Sequence, residues 1–450
     1  MSKLFSRYTG RLLYLGVLLL GASALSAAAA QVLVVDSVTL IDGTGAAPVP
    51  AMTVVIEDGR FRDILPAALA GDIDGTHIDG TGKFLIPGLM DMHVHLKGGV
   101  KITRDNLRQV SADRKLGLQA LHSYLYSGVT SIYDAGNNPD YIFALREDER
   151  GHKIVSPRIF ATGGIVTKPG SHGSGAGATT VEAWPDARAA LDKHIARKPD
   201  LLKLTLEERG WGERPMIPLL DLDLMQTIIE YYNDHGIRTT VHTSSELRAR
   251  QAIFAGVDTL AHPVIQGPIT DDFARLMGAK QIPMTTTLTI GENYSRLVEH
   301  PEYLDQALYQ QALTPAEIAE LKGETRDEWQ QRMWTAWMKL MTPVAQENLR
   351  KIHEAGGVLV LGTDQTIGPA VHREMELLQD AGIEPRAIIR IATLNGAIFL
   401  GKQREMGSIE TGKLADAVLL DADPTQDVNN MKRIRAVIKA GELVDRSKLE

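Results

Sequence analysis

The sequence predicts an α/β protein: a (β/α)8 TIM-like barrel with a small β-sandwich domain built from both chain ends. Three observations predict it. Strand-like apolar runs alternate with helix-like runs through the middle of the 450 residues, the pattern of βα units on a parallel sheet. Eight strand runs fit that stretch, the count of a closed barrel. Both ends of the chain instead carry short alternating runs broken by glycine turns. A doubly wound open sheet is the rival, but its first strand usually leads into a glycine-rich phosphate turn. Here the first strand leads into "MDMHVHLKGG".

The elements follow in order. Residues 1–30 read as a signal peptide. Lys3, Arg7 and Arg11 precede the apolar run "LLYLGVLLLGASALSA", and "AAAAQ" offers small residues for cleavage near Ala30. The apolar core is short for a membrane span, so no stable anchor is expected after cleavage and the protein is expected in the periplasm or outside the cell. Residues 31–87 read as β, with Asp58-Gly59 between two apolar runs as a two-residue hairpin turn. Residues 403–450 read the same way and are expected to pair with them. Residues 88–402 form the barrel. Its strands are expected at Phe84–His95, Val129–Ala135, Arg158–Val166, Leu201–Leu206, Arg238–Thr243, Thr259–His262, Ile282–Leu288 and Val358–Asp364. Helices such as "DLMQTIIEYYNDHG" and "ENLRKIHEAGG" stop at glycine. An insertion at about 291–345, rich in Tyr and Trp, is too long for a simple connection. It reads equally as a lid or binding loop and as a docked helical hairpin.

Composition excludes more than it selects. The formal charge of −8 argues against a nucleic-acid surface. There is no Cys, hence no disulfide and no lipid-modified cysteine. The sequence leaves a homo-oligomer open.

Active groups in a barrel sit at the carboxyl ends of its strands. The expected strands end in His93 and His95, His242, His262 and Asp364, and the fourth holds Lys203. Residues i and i+2 of a strand share a face, so His93 and His95 point inward together. Four imidazoles and a carboxylate suit a divalent ion such as zinc, and Asp364 can also take a proton from bound water. Lys203 lies among leucines in "DLLKLTL". A buried lysine must lose its charge or find a partner. A neutral amine can take up carbon dioxide, and the resulting carbamate could bridge two ions roughly 3.5–4 Å apart. An ammonium paired with Asp364 beside a single ion is the other reading.

At these residues the sequence resembles the amidohydrolase superfamily. "HVH", "LLKL", "VHT", "AHP" and "GTD" come in that superfamily's order, and "IDGTG", "IEDGR" and "GKLADAVLLDAD" are similar to pieces of its β domain. Within it, Lys203 and the loop "GGIVTKPGSHGSG" resemble the imidazolonepropionase-related branch, with its Xaa-Pro dipeptidase-like and ochratoxinase-like hydrolases. The resemblance implies a carboxylated Lys203 and a His172 that touches substrate. Thr243 stands where the branch often has Ala, and "LLKLTL" replaces a more usual Ile-Lys-Ile. Deaminase members pair the strand-five histidine with a Glu three residues on. Here that position is Ser245, with Glu246 next, which disfavours deamination.

The function expected is hydrolysis of an amide or peptide bond in a dipeptide or N-acyl amino acid by a metal-bridging hydroxide. His93, His95, Lys203, His242, His262 and Asp364 would hold two ions, with Asp364 as base then acid and His172 on the carbonyl. A lactone or phosphoester hydrolase on the same site is the alternative. A non-catalytic binding protein on this fold is the second. Arg373 and Glu374 follow the eighth strand without an assigned role.

Overall fold

The computed structural model describes residues 32–102, 108–110, 112–175, 177–209 and 216–449. The expected leader, residues 1–30, lies outside them. No helix among the described residues is long and apolar enough to cross a membrane.

Strands β1 (Leu33–Leu40), β2 (Val49–Glu57) and β3 (Arg60–Pro66) form an antiparallel meander. Asp58 and Gly59 both take positive φ, 49° and 74°, the two-residue turn whose twist matches its strands. Strands β4 (Thr76–Asp79) and β5 (Phe84–Pro87) then lie parallel to successive halves of β1. The run expected as one strand, Phe84–His95, is two. Pro87 ends β5 in the terminal sheet, and β6 (Leu89–Val94) opens the barrel. Gly88 is the joint. A Cβ there would lie 2.1 Å from the Thr130 hydroxyl oxygen, so only glycine lets the two strands pass.

Strands β7 (Val129–Asp134), β8 (Arg158–Ala161), β9 (Leu201–Thr205), β10 (Arg238–His242), β11 (Thr259–Ala261), β12 (Met284–Thr285) and β13 (Leu359–Val360) complete the ring. Their ladders are parallel. Backbone hydrogen bonds close the gaps. Asp200 N donates to Ala161 O at 2.9 Å between β8 and β9, and Met92 N donates to Leu361 O at 2.9 Å between β6 and β13. Strands β6, β7 and β9 are buried along their whole length, as a sheet with two covered faces requires. Leu202 and Leu204 of β9 share a core with Met225, Ile228 and Ile229 of the helix Leu222–Asp234. The alternate residues, Lys203 and Thr205, are left for the barrel interior.

Strands β14 (Ala417–Leu420), β15 (Ile434–Lys439) and β16 (Glu442–Leu443) join the first five in one eight-stranded sheet. The sheet folds back on itself. Arg60 bridges Leu414, and Phe61 N donates to Lys413 O at 3.0 Å. The enclosed core holds Val35, Val54, Phe61, Leu85, Leu419 and Ile438.

The segment between β12 and β13 is helical. Helix Leu288–Glu299 packs on helix Met333–Glu354, with shorter helices between them. The barrel helix expected from "ENLRKIHEAGG" is the C-terminal half of that second, 22-residue helix. The insertion therefore grows out of barrel helices and is not a separate unit. Glu374 anchors it from helix Ala370–Asp380: its buried carboxylate accepts from Leu288 N and Thr289 N, each at 2.8 Å, and from the Thr289 hydroxyl at 2.9 Å. It thereby caps the N-terminus of helix Leu288–Glu299. Burial outweighs these donors and raises the Glu374 pKa above its usual value of 4.5. A carboxyl whose pKa is raised on folding stabilises fully below 4.5, and that contribution falls as pH rises through the folded value. Glu374→Gln should therefore flatten the fall in melting temperature above pH 4.5, which thermal melts across pH would read. Glu374→Ala should cost about 3 kcal/mol through orphaned donors.

Candidate active site

Every expected ligand but Lys203, which is central in its strand, lies at or just beyond the carboxyl end of a barrel strand. His93 is in β6 and His95 just beyond it, Lys203 is in β9, His242 ends β10, His262 follows β11 and Asp364 follows β13. The backbone turns sharply at several of these ends. His262, Thr287 and Asp364 have φ of 74°, 53° for the last and 33° for Thr287, a left-handed conformation that costs a non-glycine residue and collects at functional sites. Gly362 makes the approach of β13 to β6 feasible, since a Cβ there would lie 2.8 Å from His93 Cβ.

The six side chains meet. Donor atoms of His93, His262 and Asp364 all lie within 4.8 Å of one another. His95 Nε2 is 3.3 Å and His93 Nε2 3.9 Å from Asp364 Oδ1. Lys203 Nζ is 3.2 Å from His93 Nε2. The His262 ring centroid is 4.3 Å from that of His93 and 4.4 Å from that of His242. His172 lies at the same mouth, stacked on His242 with centroids 4.2 Å apart and planes at 23°. Thr205 fixes that loop by donating to His172 O at 2.9 Å.

Burial decides the charge state. It pulls the His93, His262 and His242 imidazoles below their usual range, and Lys203 adds to the effect at all three. Neutral imidazole is the form that binds a metal. Lys203 is pushed down to about 7 by burial, with the Asp364 charge pulling the other way.

A surrounding layer orients these groups. His95 Nδ1 is 2.6 Å from Gly136 O, and His262 Nδ1 is 3.0 Å from the Thr287 hydroxyl; such partners set ring orientation and tautomer. Asp91 accepts from His93 N, Thr363 N and the Thr363 hydroxyl, tying β6 to the segment that carries Asp364. Asp134 accepts from Leu96 N, Gly136 N and Asn137 Nδ2, fixing the turn beside His95.

Glu207 was not among the residues expected from sequence. Its Oε2 is 3.6 Å from His242 Nε2, and it accepts from Ser244, Gln266 and Arg209 N. Burial opposes its ionisation, but the facing His242 ring and the bonds from Ser244 and Arg209 N prevail and lower its pKa. The signal was available: Lys203, Thr205 and Glu207 are spaced by two, so they share one face.

The remaining buried histidines are structural. His194 contacts the Tyr232 hydroxyl and Thr162 O, and His372 contacts Ser127 O. His235, which is exposed, sits at a helix C-terminus with Nδ1 2.7 Å from Tyr231 O.

The donor set fits a divalent ion: neutral nitrogens and a carboxylate converge, and a lysine amine of depressed basicity stands among them. What the cluster can do chemically is hold Lewis-acid ions beside a carboxylate able to accept a proton.

Comparison with known proteins agrees with this geometry. The amidohydrolase family profile matches residues 84–444. An imidazolonepropionase of Symbiobacterium thermophilum is 30% identical over 448 aligned residues, covering 89% of this chain and 91% of its own. Among solved structures, a Xaa-Pro dipeptidase with bound methionine superposes with a TM-score of 0.72 at 22% identity, over 92% of this chain and 100% of its own. The A. niger ochratoxinase does so with a TM-score of 0.72 at 19% identity, over 92% and 95%. At such identities these two show the shared barrel fold alone. The profile match over most of the length, with the full-length relative, establishes that the chain belongs to the amidohydrolase family.

Proposed function

We propose that this amidohydrolase cleaves an amide or peptide bond in a small substrate, a dipeptide or N-acyl amino acid, at a site holding two divalent ions. One observation carries the reading: six side chains meet at one barrel mouth, with the buried Lys203 amine 3.2 Å from His93. Metal dependence is general to the family, and a relative's name, imidazolonepropionase, supports C–N chemistry. In this reading the ions are zinc, which suits a nitrogen-rich donor set.

With a pKa of about 7, much of Lys203 is free amine at neutral pH. That amine adds to carbon dioxide: an N–C bond forms, a proton leaves, and a carbamate anion with two oxygens results. His93, His95, Lys203 carbamate, His242, His262 and Asp364 would hold the ions. When bound, the ions polarise the scissile carbonyl and lower the pKa of water toward neutrality. Asp364 accepts the proton of the attacking water and passes it to the leaving nitrogen, so one water yields an acid and an amine. His172, stacked on His242, orients the carbonyl through a hydrogen bond.

The same reading takes residues 1–30 as an export leader. It takes 31–87 and 403–450 as one β domain, 88–402 as the catalytic barrel, and the mature enzyme as periplasmic or secreted. Kinetics with dipeptides and N-acyl amino acids, against lactones and aryl phosphotriesters, tests it. Faster turnover of the amides supports the proposal. Turnover confined to lactones or phosphotriesters, or to none, overturns it.

A further inference from the structure

A cavity of about 400 Å3 lies under the helical insertion, lined by Lys97, Arg296, Tyr303, Trp329, Gln365 and Arg373 among others. None of the six expected ligands lines it. Its wall nevertheless starts beside them: Gln365 follows Asp364, and Lys97 lies two residues after His95.

Helix Leu288–Glu299 supplies one side. Thr289, Glu292, Asn293 and Arg296 all line the cavity, the spacing of one helix face. Side chains on a helix lean toward its N-terminus. Here that end is Thr287, hydrogen-bonded to His262. Arg296 thus stands on a helix whose N-terminal end abuts the cluster.

Arg296 is the cation of this wall without a carboxylate partner among the described residues. Lys97 pairs with Glu317. Arg373 pairs with Glu292 at 2.9 Å and with Glu376 at 2.8 Å. Glu320, the remaining lining carboxylate, is exposed. Arg296 lies 4.0 Å over the Tyr303 ring and donates to the Tyr309 hydroxyl at 3.1 Å. Among the described residues it makes no ion pair. A guanidinium keeps its charge and presents paired donors in a plane that fits a carboxylate. The buried aromatic rings beneath it hold that plane in place. Trp329, tilted 35° to the Tyr294 ring with centroids 4.3 Å apart, gives the cavity an apolar wall.

We propose that Arg296 binds the free carboxylate of the substrate on the leaving-amine side, making the enzyme selective for acylated amino acids over their amides. The leaving amine's side chain then lies along Trp329 and the neighbouring tyrosines. This rests on the amide-hydrolase reading above, and the test separates the two.

The full-length metal-loaded enzyme is assayed for acetate release from N-acetyl-L-phenylalanine and from its primary amide. Binding of both compounds to the metal-loaded Asp364→Asn enzyme is read by calorimetry. The acid should bind about tenfold or more tighter than the amide. Arg296→Met should erase that preference by weakening the acid alone, raising KM for the acid more than it lowers kcat. Arg296→Lys should restore part of it. Thermal melts identify a misfolded Arg296→Met protein, in which case Arg296→Lys and Arg296→Gln carry the comparison. An acid-to-amide binding ratio near one, or one unchanged by these variants, overturns the role of Arg296. Wild-type enzyme that binds the acid selectively but hydrolyses neither compound overturns the hydrolase reading and leaves Arg296 in place.

Discussion

Lys203→Met should lower kcat/KM by more than about 100-fold and reduce metal content with it, because partners one shell further out already cost 10–100-fold when removed. Methionine preserves the length and burial of the strand position, which is 2% exposed in the native protein. The fold should therefore survive, and its melting temperature is the control. The physical reason for the loss is electrostatic. In the proposed site three buried imidazoles would carry no negative charge to offset two divalent ions, and Asp364 would supply one. A carbamate on Lys203 supplies a second in the most water-poor part of the site. If so, a small carboxylate such as propionate should restore part of the activity to Lys203→Ala, by occupying the space the substitution opens. Metal content and turnover that stay at wild-type levels in Lys203→Met would remove this residue from the site. Loss of turnover without rescue by any small carboxylate would favour an ammonium beside a single ion.

Asp364→Asn should leave metal bound and cost turnover about 10²–10⁴-fold, the usual contribution of a positioned acid–base group. Asparagine keeps an oxygen where the ligand oxygen stands but cannot take the proton of the attacking water. Asp364 sits where both needs meet, with Oδ1 3.3 Å from His95 Nε2 and a left-handed backbone that turns the side chain to the mouth. The effect should fall on kcat more than on KM. Pre-steady-state acid release and metal analysis of the variant read the two properties separately. Loss of metal in step with activity would reduce Asp364 to a ligand.

Sequence alone located the ring of strands because each is a short apolar run closed by a polar residue, and closed barrels bury both faces of every strand. The ligands were legible for a related reason. Lys203 is a lone cation within leucines, and His93, His242 and His262 interrupt β-branched or small apolar runs. Two kinds of feature were not legible. The first is a break inside one apolar run: the domain boundary falls at 87/88 in the sequence reading, yet "FLIPGLMDMHVH" reads there as one strand, whereas the backbone passes at Gly88 from one sheet to another because Thr130 occupies the space of a side chain. The second is the orienting layer. Asp91, Asp134 and Glu207 act through backbone amides and neighbouring side chains brought together from distant strands, and only Asp91 and Glu207 leave a periodic trace, each two residues from a neighbour on the same face. Arg296 belongs to the same class. Its meaning comes from Tyr303 and Tyr309 beneath it, which helical spacing alone does not pair with it.

X-ray diffraction at the zinc edge from crystals of the zinc-loaded enzyme, grown with bicarbonate, tests the central claim most directly. Two anomalous peaks roughly 3.5–4 Å apart are expected, ringed by His93, His95, His242, His262 and Asp364, with extra density extending Lys203 Nζ toward both. A zinc-loaded crystal without a peak at the barrel mouth, or with peaks bound by other residues, would contradict it.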